Sequence, residues 1–304
     1  LTAIMELIMT TLRDAAQAWI ACVEHQTGSL GRIAYWVDQL GDKALADVTE
    51  DDVDQALVVL AQRGKLKAGR GSLCIPVRTG KPLAPASINR YISTLASLYK
   101  YARKLRVLPR SHTPPTRGIE KVPEVIDPNK YFRPEEVERL LSVASIIDQR
   151  WKKLPALILL GFHTGLRVGN LLAIHWRDVD LVKGKISVAI TKNGQPHVAP
   201  LTPRCMEALA QLPRSDENDL VFRSYKTCKA FHYQNLWRRA CDEAGFAGRT
   251  FHWLRHGCGS ALAANGVSQA QIMSVMGHRT LIASARYMHS NVEDRRAVVD
   301  KVFS

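Results

Sequence analysis

The 304 residues are 46% hydrophobic and 23% charged, enough apolar material for one or two ordinary cores and too much for a disordered chain. A formal net charge of +14 favours a polyanionic partner, either nucleic acid or an anionic membrane surface. The six cysteines, Cys22, Cys74, Cys205, Cys228, Cys241 and Cys258, form no CxxC pair and no His/Cys cluster at zinc spacing; this argues against a disulfide framework or structural zinc and predicts reduced, mostly buried thiols of a cytoplasmic protein.

The opening Leu1–Met9 is apolar but interrupted by Glu6, far short of the roughly 20 residues that cross a bilayer. It predicts neither a membrane anchor nor a signal peptide, and no separate DNA-binding domain is expected before residue 10. Four helical stretches follow, at Thr11–Glu24, Leu30–Leu40, Glu50–Gln62 and Ala86–Leu105, each with apolar residues three and four apart. In the last, Ile88, Tyr91, Ile92, Leu95, Tyr99 and Ala102 make one stripe, while Arg90, Lys100, Arg103 and Lys104 occupy the rest of the surface. Charge is unevenly placed: residues 1–62 carry 3 basic and 10 acidic side chains, whereas residues 63–121 carry 14 basic and 1 acidic. A solvated face is the plain explanation of a charge run, but basic residues mixed with Tyr91, Tyr99 and Tyr101 point to a surface that tracks phosphates.

Gly64–Pro85, rich in Gly, Pro and Lys/Arg, reads as an exposed basic loop that orders on DNA. Residues 109–130 hold five prolines and few apolar residues, together with Arg110, Arg117 and Lys121, and predict an extended basic linker. The expected division is therefore a helical DNA-binding domain at 10–108, a linker at 109–130, a second domain at 131–290 and a tail at 291–304. The second domain opens with a helix over Pro134–Ile147, with Pro134 in the first turn and Glu135 and Glu136 at its positive end. Another helix runs from about Trp151 to His163 and stops at Thr164-Gly165. Lys185–Ile190 and His197–Leu201 flank Asn193-Gly194, a pair that tolerates the positive φ of a tight hairpin turn. From Pro203 onward the pattern is helical.

Arg167 follows Thr164-Gly165-Leu166 at the expected start of a helix, where free N–H groups favour a phosphate. His252 and Arg255, in His252-Trp253-Leu254-Arg255-His256, share a helical face. The four-residue spacing of His252 and His256 also occurs in metalloproteases, but Trp253 stands where their general-base Glu would be, so no metal site is expected. Gly277-His278 precedes Tyr287 by nine residues. Taken singly, each of these residues has an ordinary packing or surface explanation.

Together and in this order, Gly165-Leu166-Arg167, Lys192 at a hairpin turn, His252-x-x-Arg255-His256, Gly277-His278 and Tyr287 resemble the signature of the tyrosine recombinases, which include phage integrases and Xer proteins. The likeness extends to Trp176-x-Asp178-Val179-Asp180, to Thr191–Gly194 running into Val198-x-Pro200-Leu201, and to Ser87–Tyr91. It implies a mainly α fold with a small antiparallel sheet: a helical SAM-like core-binding domain and an α+β catalytic domain. It implies that Arg167 and Arg255 grip the scissile phosphate, that His252 and His278 add hydrogen bonds with His252 the proton acceptor, that Lys192 protonates the departing 5′ oxygen, and that Tyr287 attacks. A phenol with a pKa of about 10 is a weak nucleophile at neutral pH, and the cations assembled for phosphate favour its anion. No cofactor or metal is implied. The partners implied are double-stranded DNA, met by Arg90, Lys100, Arg103, Lys104, Arg117 and Lys121, and further copies of the chain, four on two duplexes, with the tail docking on a neighbour; no membrane partner is implied.

Two features depart from the family pattern. Asn170 stands where Glu or Asp usually supports the first arginine, and Gly257 and Gly259 enrich the helix after Arg255 in a residue that softens helices. Two alternatives to site-specific recombination share the resemblance: a type IB topoisomerase-like enzyme and a non-catalytic DNA-binding regulator on the same fold. The helical first domain weighs against the former and the intact six-residue set against the latter.

Overall fold

The computed structural model describes residues 10–23, 27–67, 76–124, 127, 129–189, 196–214, 216–278, 280–285, 287 and 300. The chain divides into two compact units, Leu1–Ile126 and Asp127–Ser304. The fold is mainly helical with two small antiparallel sheets.

In the first unit, α1 (Leu12–Cys22), α2 (Thr27–Leu40), α3 (Glu50–Arg63) and α4 (Pro85–Lys104) surround one core. The starts of α1 and α3 are fixed by reciprocal caps, Thr11 with Asp14 and Thr49 with Asp52, which satisfy N–H groups that a helix start leaves open. Trp36, Leu60, Leu95 and Tyr99 are fully buried, and the polar ends of the aromatic residues are satisfied: Trp36 Nε1 donates to the Tyr91 carbonyl at 2.9 Å and Tyr99 OH to the Leu45 carbonyl at 3.0 Å.

Two expectations change here. The base of the basic loop is a β-ribbon, β1 (Leu66–Lys67) paired with β2 (Val77–Arg78), extended by bonds from Lys65 N to Lys81 O and from Thr79 N to Lys65 O. Residues 68–75 of that loop lie outside the described residues. The proline-rich stretch, expected to be an extended linker, packs back on α3 and α4 through its described part, 109–124. Asn89 pairs with the Val122 peptide in both directions at 2.9 Å, Glu50 accepts from Gly118 N at 3.0 Å, and the His112 ring stacks on Tyr99. Prolines remove backbone donors, and Asn89 and Glu50 satisfy the Val122 peptide and the Gly118 N–H, so the segment is held in place without a ladder of its own.

The second unit is built around α6 (Lys153–Thr164), which is buried on nearly every side. Packed against it are α5 (Pro134–Ile147), α8 (Pro203–Ala210) and α10 (His252–Ala264). A short α7 (Val168–Leu172) and a 3-10 turn at Trp176–Asp178 lead into a three-stranded antiparallel sheet, β3 (Val179–Asp180), β4 (Lys185–Val188) and β5 (His197–Pro200). Ile186 pairs with Ala199 and both face the core, while Ser187 and Val198 on the other face are exposed. The chain continues through α9 (Gln234–Glu243), α11 (Gln269–Met276) and α12 (Leu281–Ala285). The arms of the expected hairpin are thus present as β4 and β5. Its turn, including Lys192, Asn193 and Gly194, lies outside the described residues, as does the tail apart from Asp300.

A bidentate pair locks α5 to the turn before α10. Arg249 donates to both oxygens of Glu136, at 2.9 and 3.0 Å, and its guanidinium lies over the rings of Phe132, Phe246 and Trp253. Glu136 also accepts from Arg133 N, closing the start of α5.

Candidate active site

The site is assembled from four chain reversals in the second unit. At the end of α6, Thr164 Oγ1 donates to the Leu160 carbonyl and accepts from Leu166 N, and Gly165 adopts a left-handed φ of 62°. Leu166 is buried, and Arg167 emerges as the residue preceding α7. With only five residues, α7 has little dipole to offer an anion, so any phosphate affinity here resides in the Arg167 guanidinium rather than in a helix end. Among the described residues Arg167 makes no side-chain hydrogen bond or ion pair, and the Asn170 amide does not brace it.

Arg255 lies on the first turn of α10 and is 4% exposed. It donates through Nη1 to the Gly165 carbonyl and through Nη2 to the Met276 carbonyl at 2.7 Å, tying α10 to the ends of α6 and α11. Five N–H groups sit on a guanidinium, so three remain available. Burial lowers its pKa to about 10, and the like charge of Arg167 adds to the effect, while Tyr287 opposes it. The group is charged at neutral pH and holds that charge at an electrostatic cost. An anion between the two guanidiniums would relieve it.

His252, at the exposed N-terminus of α10, meets His256 edge to face with ring centroids 4.6 Å apart. Gly277 ends α11 with a left-handed φ of 60°, and His278 N closes on the Met273 carbonyl at 2.9 Å. Beyond α12, Tyr287 is anchored by its N–H to Ser284 O and is 8% exposed. Its ring is nearly parallel to that of His278, at an interplanar angle of 10°, and its hydroxyl hydrogen-bonds His256 Nδ1 at 2.9 Å. Sequence reasoning gave His256 no role; the available signal was its place one turn after His252.

The two glycines read as softening the helix have a steric reason. A Cβ on Gly259 would lie 2.7 Å from the Tyr287 ring, and one on Gly257 would collide with the Phe132 carbonyl and lie 2.9 Å from the Phe162 ring. β5 reaches the same region: His197 Nε2 contacts the Val275 carbonyl at 3.2 Å, and its ring packs on Gly277. Burial lowers the His197 pKa; the Val275 contact opposes this and Arg255 reinforces it. One arm of the hairpin that carries Lys192 therefore ends beside Arg255.

Of the six expected residues, Arg167, His252, Arg255, His278 and Tyr287 lie on these neighbouring elements, and Lys192 is outside the described residues. The expected DNA contacts Arg90, Lys100, Lys104, Arg117 and Lys121 are exposed. Arg103 is half-buried and donates to the Arg110 carbonyl at 2.6 Å, so its guanidinium is already partly engaged. Of the five described cysteines, Cys205, Cys241 and Cys258 are buried and Cys22 and Cys228 exposed, all free. Burial pushes the Cys258 thiol, packed beside Gly165, up to about 12. Among the described residues no group of His, Cys, Asp and Glu could hold a metal ion, and no helix is long and apolar enough to cross a membrane.

The model of the phage integrase family matches residues 130–294, more than half of the chain. The chain belongs to the phage integrase family. Among integrase-family relatives, the type 1 fimbriae regulatory protein FimE of Escherichia coli K12 is 34% identical over 145 residues, 44% of this chain and 73% of FimE. The integrase of Salmonella phage P22 is 23% identical, with 96% of this chain and 80% of that integrase covered. The integrase fold extends beyond the region matched by the family model. A structure of the Tn1549 transposon integrase in complex with transposon right end DNA superposes with a TM-score of 0.73 at 16% identity, covering 97% of this chain and all of that one.

Proposed function

We propose that Tyr287 is the nucleophile of this recombinase, attacking a scissile phosphate held by Arg167 and Arg255 to give a 3′-phosphotyrosine link and a free 5′ hydroxyl. The supporting observation is the buried Arg255 guanidinium, which interacts electrostatically with both Arg167 and Tyr287 and is fixed by two backbone carbonyls rather than by a carboxylate. A carboxylate would neutralise the pair; carbonyls orient it and leave its charge for the phosphate. As phosphorus becomes five-coordinate, negative charge grows on its non-bridging oxygens, and preorganised guanidiniums stabilise that charge most. His252 and His278 add hydrogen bonds to the same phosphate, and Lys192 gives its proton to the departing 5′ oxygen. The phosphodiester energy is kept in the phosphotyrosine bond, so a 5′ hydroxyl from another strand can reverse the step without a nucleotide cofactor.

Arg90, Lys100, Lys104, Arg117 and Lys121 of the first unit contact DNA phosphates. Recombination joins two duplexes with two cleavages in each, so four protomers act together, in the cytoplasm where the DNA substrate lies. Incubation with nicked duplexes, in which the short fragment bearing the freed 5′ hydroxyl diffuses away after cleavage, tests the chemistry. Wild type is expected to form an adduct that survives denaturant and Tyr287→Phe none; an adduct from the phenylalanine variant would rule out this nucleophile.

A further inference from the structure

We propose that His256 is a further catalytic residue, accepting the phenolic proton of Tyr287 as the phosphotyrosine bond forms. This rests on the recombinase reading above but moves the phenolic proton from His252, where the family resemblance puts it, to a side chain that reading leaves unused. The nucleophile oxygen already has a partner: Nδ1 of His256 is 2.9 Å from the Tyr287 hydroxyl, within the distance at which a general base takes a proton. With the imidazole proton on Nε2, Nδ1 is the acceptor.

The phenol is also constrained from other directions. Gly259, three residues after His256 on α10, lies directly against the Tyr287 ring, and the His278 ring is parallel to it, so the ring is held in one plane. The residues that bring the phenol to the site therefore also point its oxygen at His256. His252 is exposed at the helix start and contacts His256 edge to face, which leaves it placed for substrate oxygens while His256 serves the phenol. Among the described residues, His252 from its own helix and Tyr287 from beyond α12 meet the His256 imidazole, and Arg255 is adjacent to it in sequence.

The step balances. The phenolic O–H bond breaks and an Nδ1–H bond forms, while the tyrosine oxygen bonds phosphorus and the bond from phosphorus to the 5′ oxygen breaks. The departing oxygen takes its electron pair and a proton from Lys192. On religation the imidazolium returns its proton to the phenol.

The test uses full-length protein and a cleavable duplex recovered by covalent capture from a randomised nicked library. Single-turnover adduct formation is followed from pH 5.5 to 9 for wild type, His256→Ala and His256→Asn. Loss of a general base typically costs about 10² to 10⁴ in rate, so His256→Ala is expected to be at least about 100-fold slower. It should also lose the rise in rate through the histidine range, and added imidazole should restore at least about tenfold of the lost rate. His256→Asn can accept a hydrogen bond but cannot hold the proton, and should show the same flat profile with unchanged noncovalent DNA affinity. Wild-type rates in both variants would overturn the proposal. So would slower variants that keep the wild-type pH profile and ignore imidazole, because they would mark a structural contact. Absence of any wild-type adduct would instead sink the recombinase reading, and this proposal with it.

Discussion

Gly259 and Tyr287 are in such close contact that a methyl group at position 259 would lie 2.7 to 2.8 Å from three carbons of the phenol ring. The ring is rigid and sits between α10 and His278, so it would have to leave its place. Alanine favours a helix over glycine by roughly 1 kcal/mol. Gly259→Ala is therefore expected to leave the melting temperature unchanged or slightly raised while adduct formation falls at least about 100-fold, since small misplacements of a reacting group are that costly. Calorimetry and single-turnover cleavage on the same preparation separate the two effects.

Gly257 should behave in the opposite way. Its added Cβ meets the Phe132 backbone carbonyl, which cannot rotate aside, and the Phe162 ring. Gly257→Ala is expected to lose about 2 kcal/mol in urea unfolding, within the range for overpacking a tight contact. Cleavage by the fraction that remains folded should be affected far less than in Gly259→Ala.

Arg167 is free of side-chain partners among the described residues and lies beside another buried cation. Arg167→Ala removes repulsion without breaking a hydrogen bond, so its thermal midpoint should match wild type or exceed it. Adduct formation should drop by about 10² to 10³, the cost of one preorganised donor to a transition-state oxyanion. A large fall in stability would show that Arg167 holds the fold together.

Acid should weaken the lock between Glu136 and Arg249. Burial alone would raise the carboxyl pKa, but hydrogen bonds from Arg249 and Arg133 N, with the charges of both arginines, bring it below the ordinary value of 4.5. A depressed carboxyl pKa gives stability that is present above the unfolded value and lost as pH falls through the folded one. Glu136→Gln should therefore be about 1–2 kcal/mol less stable than wild type at pH 7, with the two converging as the pH falls through the depressed carboxyl pKa. Parallel curves across that range, from urea midpoints at each pH, would contradict the assignment.

Local signals decided how much could be read from the sequence. Pro134 with Glu136 marks the helix Pro134–Ile147 to the residue because the cap is a property of adjacent positions. The arms of the 185–200 hairpin are legible from alternation around Asn193-Gly194. The ribbon of Leu66–Lys67 and Val77–Arg78 is too short to alternate visibly. The return of residues 109–124 onto α3 and α4 depends on Glu50 and Asn89, whose contacts are distant in sequence, so composition alone reads as a linker. The family resemblance marks Arg255 as a candidate phosphate ligand, but its anchoring by the Gly165 and Met276 carbonyls required the meeting of three helix ends. The same holds for Gly257, Gly259 and His256: helical spacing places them on α10, and only the packing shows what each one touches.

The central claim is that Tyr287 carries the covalent bond to DNA. The most direct measurement is mass spectrometry of adducts trapped on nicked duplexes, digested with protease and nuclease so that a nucleotide remnant marks the linked side chain. One modified peptide is expected, with the remnant joined to Tyr287 through the 3′ phosphate. A remnant on any other residue, or a 5′ phosphate linkage, would contradict it.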